Sequence, residues 1–456
     1  MAKKLLLLGG SHYLIPVIEA AHELDCYVIT MDYLPENIAH KFSDEYIDVS
    51  IIDKETVLEE ARKLQIDGVM SFACDPGVVT AAYVAEEMGL PFQCSYESAC
   101  ILQDKGRFRQ FLLDHKFNSP FAKRYEGRRA PVEDADLFEW PVIVKPVDSA
   151  GSKGVTKVDA PEMLQSAVDE AFAMSYSDSF IVEEFLIFEG YHSSADLFSI
   201  DGRLAFTSFS DQLFDEDADN PYTPAKIIWP STMSDGCQAE LAREIQRLFD
   251  LLGMRTGIYN VESCVASGGK PYIMEVSPRG GGCKIAELQR LAYGVDLIKA
   301  EVAKAIGLPV EGVEDAPCDG HWCELVVHAA PGQSGVLESV ELSAEVEREY
   351  LAVKDIVAQP GDAVEPFTGA NMALGDLFLR FESRETLDKI TGDVSSWLEV
   401  RLRKGEESKP DPNIAGGGAL LGEACDGCRP ADIYVLCGAR VCGNLANDCE
   451  VVRHAA

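Results

Sequence analysis

Basic residues are scarce in this chain. Forty Lys and Arg stand against 76 Asp and Glu, a formal net charge of -36. A surface that acidic repels nucleic acid and anionic membranes, so neither is expected as a partner. Long apolar runs are missing too. The run Leu5 to Leu8 stops at Gly9-Gly10, which is too short for a membrane span or a secretion signal and reads as a buried strand and turn. The cytoplasm is therefore the expected compartment, where the 14 Cys would stay reduced. No convincing internal repeat is present. There is no Gly-Lys-[Ser/Thr] phosphate loop opening a helix, and no Ser-His-Asp or Cys-His arrangement. What remains is ordinary globular composition, 456 residues with 47% hydrophobic and 25% charged. That suffices for a sizeable core and several packed units, and it excludes dominant disorder.

Residues 1 to about 100 alternate strand and helix patterns: strand 4–8, helix 15–24, strand 26–31, helix 54–64, strand 68–72, helix 78–88 and a short strand 90–92. Such alternation predicts a parallel sheet with helices on both faces. Gly9-Gly10-Ser11 ends a strand where such sheets bind ligands, but a plain tight turn fits equally well. A helix is expected over 105–115. An apolar strand, 141–146, carries Lys145. The Gly-rich loop Ser149, Gly151, Ser152, Gly154 joins it to strand 155–158. Helix 161–173 and strand 180–185 follow, then further strands through 193–210. Residues 211–224 are acidic and contain Pro, so a loop is expected there. Residues 305–404 read as a small α+β unit, and 404–418 as a linker by composition.

The clearest chemistry lies in two predicted strands, 257–265 and 271–277, flanking Ser267-Gly268-Gly269-Lys270. Gly-Gly is a favoured two-residue hairpin turn. With it as the loop, Ser267 faces Lys270, Glu262 faces Glu275 and Asn260 faces Ser277, all four of the last on one side with Arg279 beyond. Carboxylates directly across a strand pair repel, unless both reach water or a cation sits between them. Oxygen donors of this kind suit Mg²⁺ shared with phosphate; an ordinary solvated hairpin face is the alternative. The loop after Lys145 could bring backbone N–H groups to phosphate oxygens, or be a simple hairpin loop. Lys145, buried at the end of an apolar strand, either snorkels or meets an anion. The strand end Glu183, Glu184, Phe185, Leu186 could pair with and stack on a planar base, or be an edge strand with solvated acids.

Taken in order, these pieces resemble the ATP-grasp ligases, in the branch near biotin carboxylase, the carbamoyl phosphate synthetase large chain and the L-amino acid ligases. The resemblance runs from residue 1 to about 404. It rests on Lys105, the strand ending in Lys145-Pro146, the Gly-rich flap, Glu183 to Leu186, Glu262, and the stretch Met274 to Gly282. It implies a mixed α/β and α+β protein: a Rossmann-like domain over 1–104, a two-lobed ATP-grasp domain over 105–304, a small C-terminal α+β lid over 305–404, and an unassigned linker and Cys-rich tail over 405–456. It also implies an ATP- and Mg²⁺- (or Mn²⁺-) dependent ligase that joins a carboxylate to an amine through an acyl phosphate. Lys105, Lys145 and the flap Ser149, Gly151, Ser152, Gly154 would contact the phosphates, Arg279 the transferred one. Glu183, Glu184, Phe185 and Leu186 would line the adenine, and His192 would meet the ribose. Glu262 and Glu275 would hold the metal together with Ser277, where the family commonly has Asn. Small-molecule carboxylate and amine substrates are the implied partners, with a homodimer allowed. Substrate loops are expected near 9–13, 211–230 and 280–290. Three rival readings stay open: a bicarbonate-activating or carbamoyl-phosphate-type enzyme, although no Met-Lys-Met biotinylation site is present; a nucleotide-binding protein without turnover; and an assembly module in which the Cys-rich tail 405–456 is the working part. The tail has Cys at 425, 428, 437, 442 and 449 with His454. It fits a zinc site, a fused peptide substrate or a plain extension.

Overall fold

The computed structural model describes residues 2–148, 154–175 and 177–404. The flap residues Ser149, Gly151 and Ser152 and the Cys-rich tail lie outside the described residues.

The N-terminal sheet has four parallel strands in the order Glu45–Asp48, Cys26–Asp32, Lys3–Leu8, Gly68–Ser71. Leu5, Leu6, Leu7 and Leu8 are all fully buried. A continuous apolar run is what a strand covered on both faces requires. Leu6 and Leu8 pack with Val57 and Ala81 from the helices Lys54–Leu64 and Asp75–Met88. Leu5 and Leu7 pack with Val17 from Ile15–Glu23 and with Leu297 and Val302 from Leu297–Ala305. The expected strand at 90–92 does not form. Pro91 has no N–H for a ladder, and the next residue but one, Gln93, gives its carbonyl to Arg255 N at 2.8 Å and Tyr259 Oη at 3.1 Å.

A four-stranded antiparallel sheet follows, ordered Ala122–Glu126, Ser179–Glu184, Val142–Pro146, Thr156–Val158. The helix Leu164–Ala173 covers it through Leu164, Ala167, Val168 and Ala171, which meet Val142, Val144, Phe180 and Val182. The largest sheet has nine strands. Its path runs Lys270–Ser277, Gly257–Ala266, Phe188–Ile200, Asp211–Phe214, Pro224–Trp229, His321–Val327, Gly375–Phe381, Leu351–Ile356, with Arg203–Phe206 beside Phe188–Ile200. A small sheet orders Ala363–Val364, Gly335–Leu342, Leu398–Arg403. Residues 305–404 thus supply three strands to the large sheet and three to the small one.

The acidic stretch expected to be a loop starts as a strand. Gln212 pairs with His192, and Asp211 is buried. Its carboxylate accepts from Ser231 Oγ at 2.7 Å, Thr232 N at 2.9 Å and Arg384 Nη1 at 3.0 Å. A buried acid with that many donors is stable where composition suggests a solvated one.

Gly68 sets how closely the helix Leu297–Ala305 meets the parallel sheet. A Cβ there would sit 2.4 Å from the Ala305 carbonyl oxygen. Gly68→Ala should destabilise the protein by about 1–3 kcal/mol by overpacking backbone against backbone. Urea unfolding measures this, and an unchanged midpoint would contradict it.

Candidate active site

The hairpin Gly257–Ala266 and Lys270–Ser277 does bring Glu262 opposite Glu275 and Asn260 opposite Ser277, but by a different route from a two-residue turn. Ala266, not Ser267, faces Lys270, so the loop has three residues and the register near it is shifted by one. A bulge between Glu262 and Ser263 absorbs the extra residue, Met274, and returns the acids to one face. The bulge has a partner: Arg109 Nη1 donates to the Met274 carbonyl at 2.7 Å.

Lys105 is the first residue of the helix Lys105–Asp114, capped by Asp104, whose carboxylate accepts from Arg107 N at 2.9 Å. The Lys105 N–H also donates to Val147 O at 3.0 Å, which ties this helix to the end of the Lys145 strand. Its Nζ lies 3.3 Å from Glu275 Oε2. Burial works against its charge, but Glu275, Asp75 and Glu262 more than offset that and raise its pKa.

Lys145 meets a carboxylate of the chain itself. Glu183 accepts from Lys145 Nζ at 2.5 Å and from Arg109 Nε at 2.9 Å, and the Glu183 and Arg109 side chains are each 4% exposed. Burial alone would raise the Glu183 carboxyl; Arg109 and Lys145 reverse that and hold it at about 2. Burial lowers the pKa of Lys145, and Glu183 offsets only part of the effect. The Glu183 side chain is therefore spent on cations rather than turned toward a base. Arg109 was not foreseen, although it sits four residues after Lys105 on the same helix, a spacing that puts both on one face.

Arg279 is held by Asp75, in the first turn of Asp75–Met88. The guanidinium Nη2 reaches both carboxylate oxygens at 2.7 and 2.8 Å, and Nε reaches one at 2.9 Å. Ser277 belongs to the same network. Its hydroxyl donates to Asp75 at 2.9 Å and accepts from Gln103 Nε2 at 2.7 Å. Asp75 and Gln103 are further residues that local motifs did not reveal. Nearby, buried Asp196 accepts from Asn260 Nδ2 at 3.0 Å and from Gly281 N at 2.8 Å. It fixes the glycine run after Arg279, where a Cβ on Gly281 would lie 2.7 Å from Asn260 Nδ2.

Glu184 is half-buried and accepts from the backbone of Phe121 at 3.1 Å and Glu139 at 3.3 Å. Phe185 N donates to Pro141 O at 3.1 Å. Phe185 and Leu186 are half-buried, and Ile187 is 69% exposed. His192 packs between Phe188, tilted at 4.0 Å between centroids, and Phe214, edge-on at 5.4 Å. Burial lowers its pKa to about 4, so it is neutral. Gly154 lies against Pro146 and Met174.

Among the described residues, no three His, Cys, Asp or Glu side chains are grouped to hold a metal. Glu262 and Glu275 nevertheless fit a hard divalent cation that takes its other oxygens from phosphate and water. Burial and then Glu275 push the Glu262 carboxyl up to about 7. The Ser277 hydroxyl, donating to Asp75 and accepting from Gln103, keeps one lone pair free.

Residues 102–283 match the ATP-grasp domain family. The chain is 28% identical over 318 residues to the formate-dependent phosphoribosylglycinamide formyltransferase of Synechococcus sp. (strain WH7803), covering 69% of this chain and 79% of that protein. It is 26% identical to carnosine synthase 1 of Gallus gallus over 67% of this chain, but spans only 35% of that protein. The L-amino acid ligase structure from Bacillus licheniformis superposes with a TM-score of 0.73 at 19% identity, over 88% of this chain and 99% of that one. The phosphoribosylglycinamide synthetase from Anaerococcus prevotii gives 0.69 at 20% identity, over 88% and 100%. At these identities the structures establish the fold.

The raised Glu262 carboxyl has a stability signature. Its folded pKa of about 7 exceeds the ordinary 4.5. The stability this contributes is fully present below about 4.5 and is lost as pH rises through 7. Above pH 7, without nucleotide or divalent cation, Glu262→Gln should be more stable than wild type by about 1–3 kcal/mol, the gain shrinking toward acid. Urea unfolding across this range checks it; a pH-independent difference would contradict it.

Proposed function

Because residues 102–283 are an ATP-grasp domain, we infer that the chain is an ATP-dependent ligase that forms a C–N bond between a carboxylate and an amine, releasing ADP and phosphate. The observation that carries this reading is the like-charged pair Glu262 and Glu275 on facing strands, with Lys105 at 3.3 Å and Arg279 fixed two residues beyond Ser277.

The chemistry follows from charge. A carboxylate is a poor electrophile because its leaving group would be oxide. Taking the γ phosphoryl of ATP turns it into an acyl phosphate, and an amine can then displace phosphate. The protein must position the reactants and neutralise developing charge; it need not form a covalent bond itself. Lys105 and Lys145 are the proposed phosphate contacts, with Gly154 and the rest of the flap over them. Glu183 is reassigned from the adenine to a positioning role: with Arg109 it sets the place and charge of Lys145. Glu184 shapes the strand end, leaving Phe185 and Leu186 as the adenine wall, and neutral His192 faces the ribose. Bound Mg²⁺ (or Mn²⁺), held by Glu262 and Glu275, would neutralise phosphate charge. Ser277 orients Asp75, and Asp75 orients Arg279 toward the transferred phosphoryl. The divisions 1–104, 105–304 and 305–404 fit this scheme as functional units. Small molecules are the substrates. The names carnosine synthase and L-amino acid ligase, borne by two similar proteins, bring amino-acid-like substrates within range.

Glu275→Ala should lower Mg²⁺-dependent ADP release by on the order of 100-fold or more. The assay pairs a panel of carboxylates with a panel of amines. Release that needs both a particular carboxylate and a particular amine supports the ligase. Turnover in the presence of substrates that survives the substitution contradicts the assigned site.

A further inference from the structure

Beyond Arg279, the glycine run 280–282 leads to Lys284 and the helix Ile285–Tyr293. That helix packs on one face of the large sheet, where Ile285, Leu288 and Ala292 meet Trp322 and Phe378. The same face carries acids. Glu324 is opposite Phe378, Val326 is opposite Asp376, and Asp355 is opposite Asp376 on the next strand. Residues facing each other across antiparallel strands share a side, so Glu324, Asp376 and Asp355 line up under the helix. The other face is apolar, with Cys323, Leu325, Val327, Leu377 and Leu379.

Glu324 is 0% exposed and Asp376 2%. Neither carboxylate oxygen of Glu324 receives a hydrogen bond among the described residues. A buried carboxyl with no donor is costly and rare, and it calls for an explanation. The local cation, Lys284, pairs with Asp355. Glu287, on the helix, adds another acid close enough to raise the Glu324 carboxyl further. Burial drives Asp376 up to about 6 and Glu287 up to about 7. The cluster adjoins the reaction centre: Asp196, which holds Gly281, also acts on Glu324.

Resting on the ligase reading, we propose that Glu324, Asp376 and Glu287 form the subsite for the ammonium group of an amino-acid-like substrate whose carboxylate lies toward Arg279. Charge decides against a phosphate-bearing substrate, since four carboxylates face one committed lysine. Among the described residues, no three His, Cys, Asp or Glu are grouped to hold a metal here. An ammonium on a carbon stem needs only one or two carboxylates.

Titration calorimetry on the intact chain tests this with glycine, β-alanine and 4-aminobutanoate, each beside its counterpart lacking the amino group. At least one amino acid should bind ten-fold or more tightly than its counterpart, and Glu324→Gln should erase the difference. Glu324→Gln should unfold no earlier than wild type, since it removes an unpartnered buried acid; Asp376→Asn serves as the second variant. If no amino acid gains over its counterpart, or the gain survives both substitutions, the proposal is overturned. Mg-ATP binding on the same samples separates the two readings. Its retention with no amino-acid preference defeats only the subsite, whereas its absence in wild type defeats the ligase reading as well.

Discussion

Two carboxylates on facing strands impose the central constraint. Glu262 and Glu275 lie directly opposite across a hairpin, where their charges repel, and burial makes the repulsion worse. Positive charge close by, or a proton on Glu262, relieves the repulsion. Lys105 supplies part of that charge at Glu275, and a divalent cation with its phosphates would supply the rest. The pair is thus destabilising by itself, and a divalent cation bound between the two acids would relieve it.

Three cations around that pair, Lys105, Arg109 and Arg279, are held by acids from other parts of the fold. Arg279 comes from the end of the hairpin, and Asp75 from the helix after the parallel sheet. Lys145 and Glu183 come from the four-stranded sheet, and Arg109 from the helix between the two. These ion pairs fasten three layers at one point. Their worth lies less in net stability, since desolvation cancels much of the Coulomb energy, than in keeping charged groups in place before substrate arrives. Arg109 shows the economy of this: one side chain holds Glu183 and also caps the bulge that keeps Glu275 aligned.

Much of this was legible in the sequence, and the misses have physical causes. The parallel sheet was readable because Leu5 to Leu8 form an unbroken apolar run. The facing acids were readable because strands have a period of two. The bulge was not, because it depends on where a distant guanidinium spends a donor. Glu183 was misread for a similar reason: its partner Arg109 lies 74 residues away. Asp211 was misread because acidic neighbours suggest solvent, while its donors come from residues 231, 232 and 384. The hydrogen bonds of Ser277 to Asp75 and Gln103 were not legible, because both partners are more than 170 residues away in the chain. The acids Glu324 and Asp376 did leave a trace, one acid in each of two largely apolar strands, but only the sheet order brings them together.

The acyl phosphate is the claim on which the functional account turns, and an oxygen-isotope experiment addresses it directly. With the active substrate pair and the carboxylate labelled with ¹⁸O, the account predicts that each turnover carries one labelled oxygen into the released phosphate, because the carboxylate oxygen that takes the phosphoryl leaves with it. Phosphate released without label, during turnover that forms the C–N bond, would contradict the account.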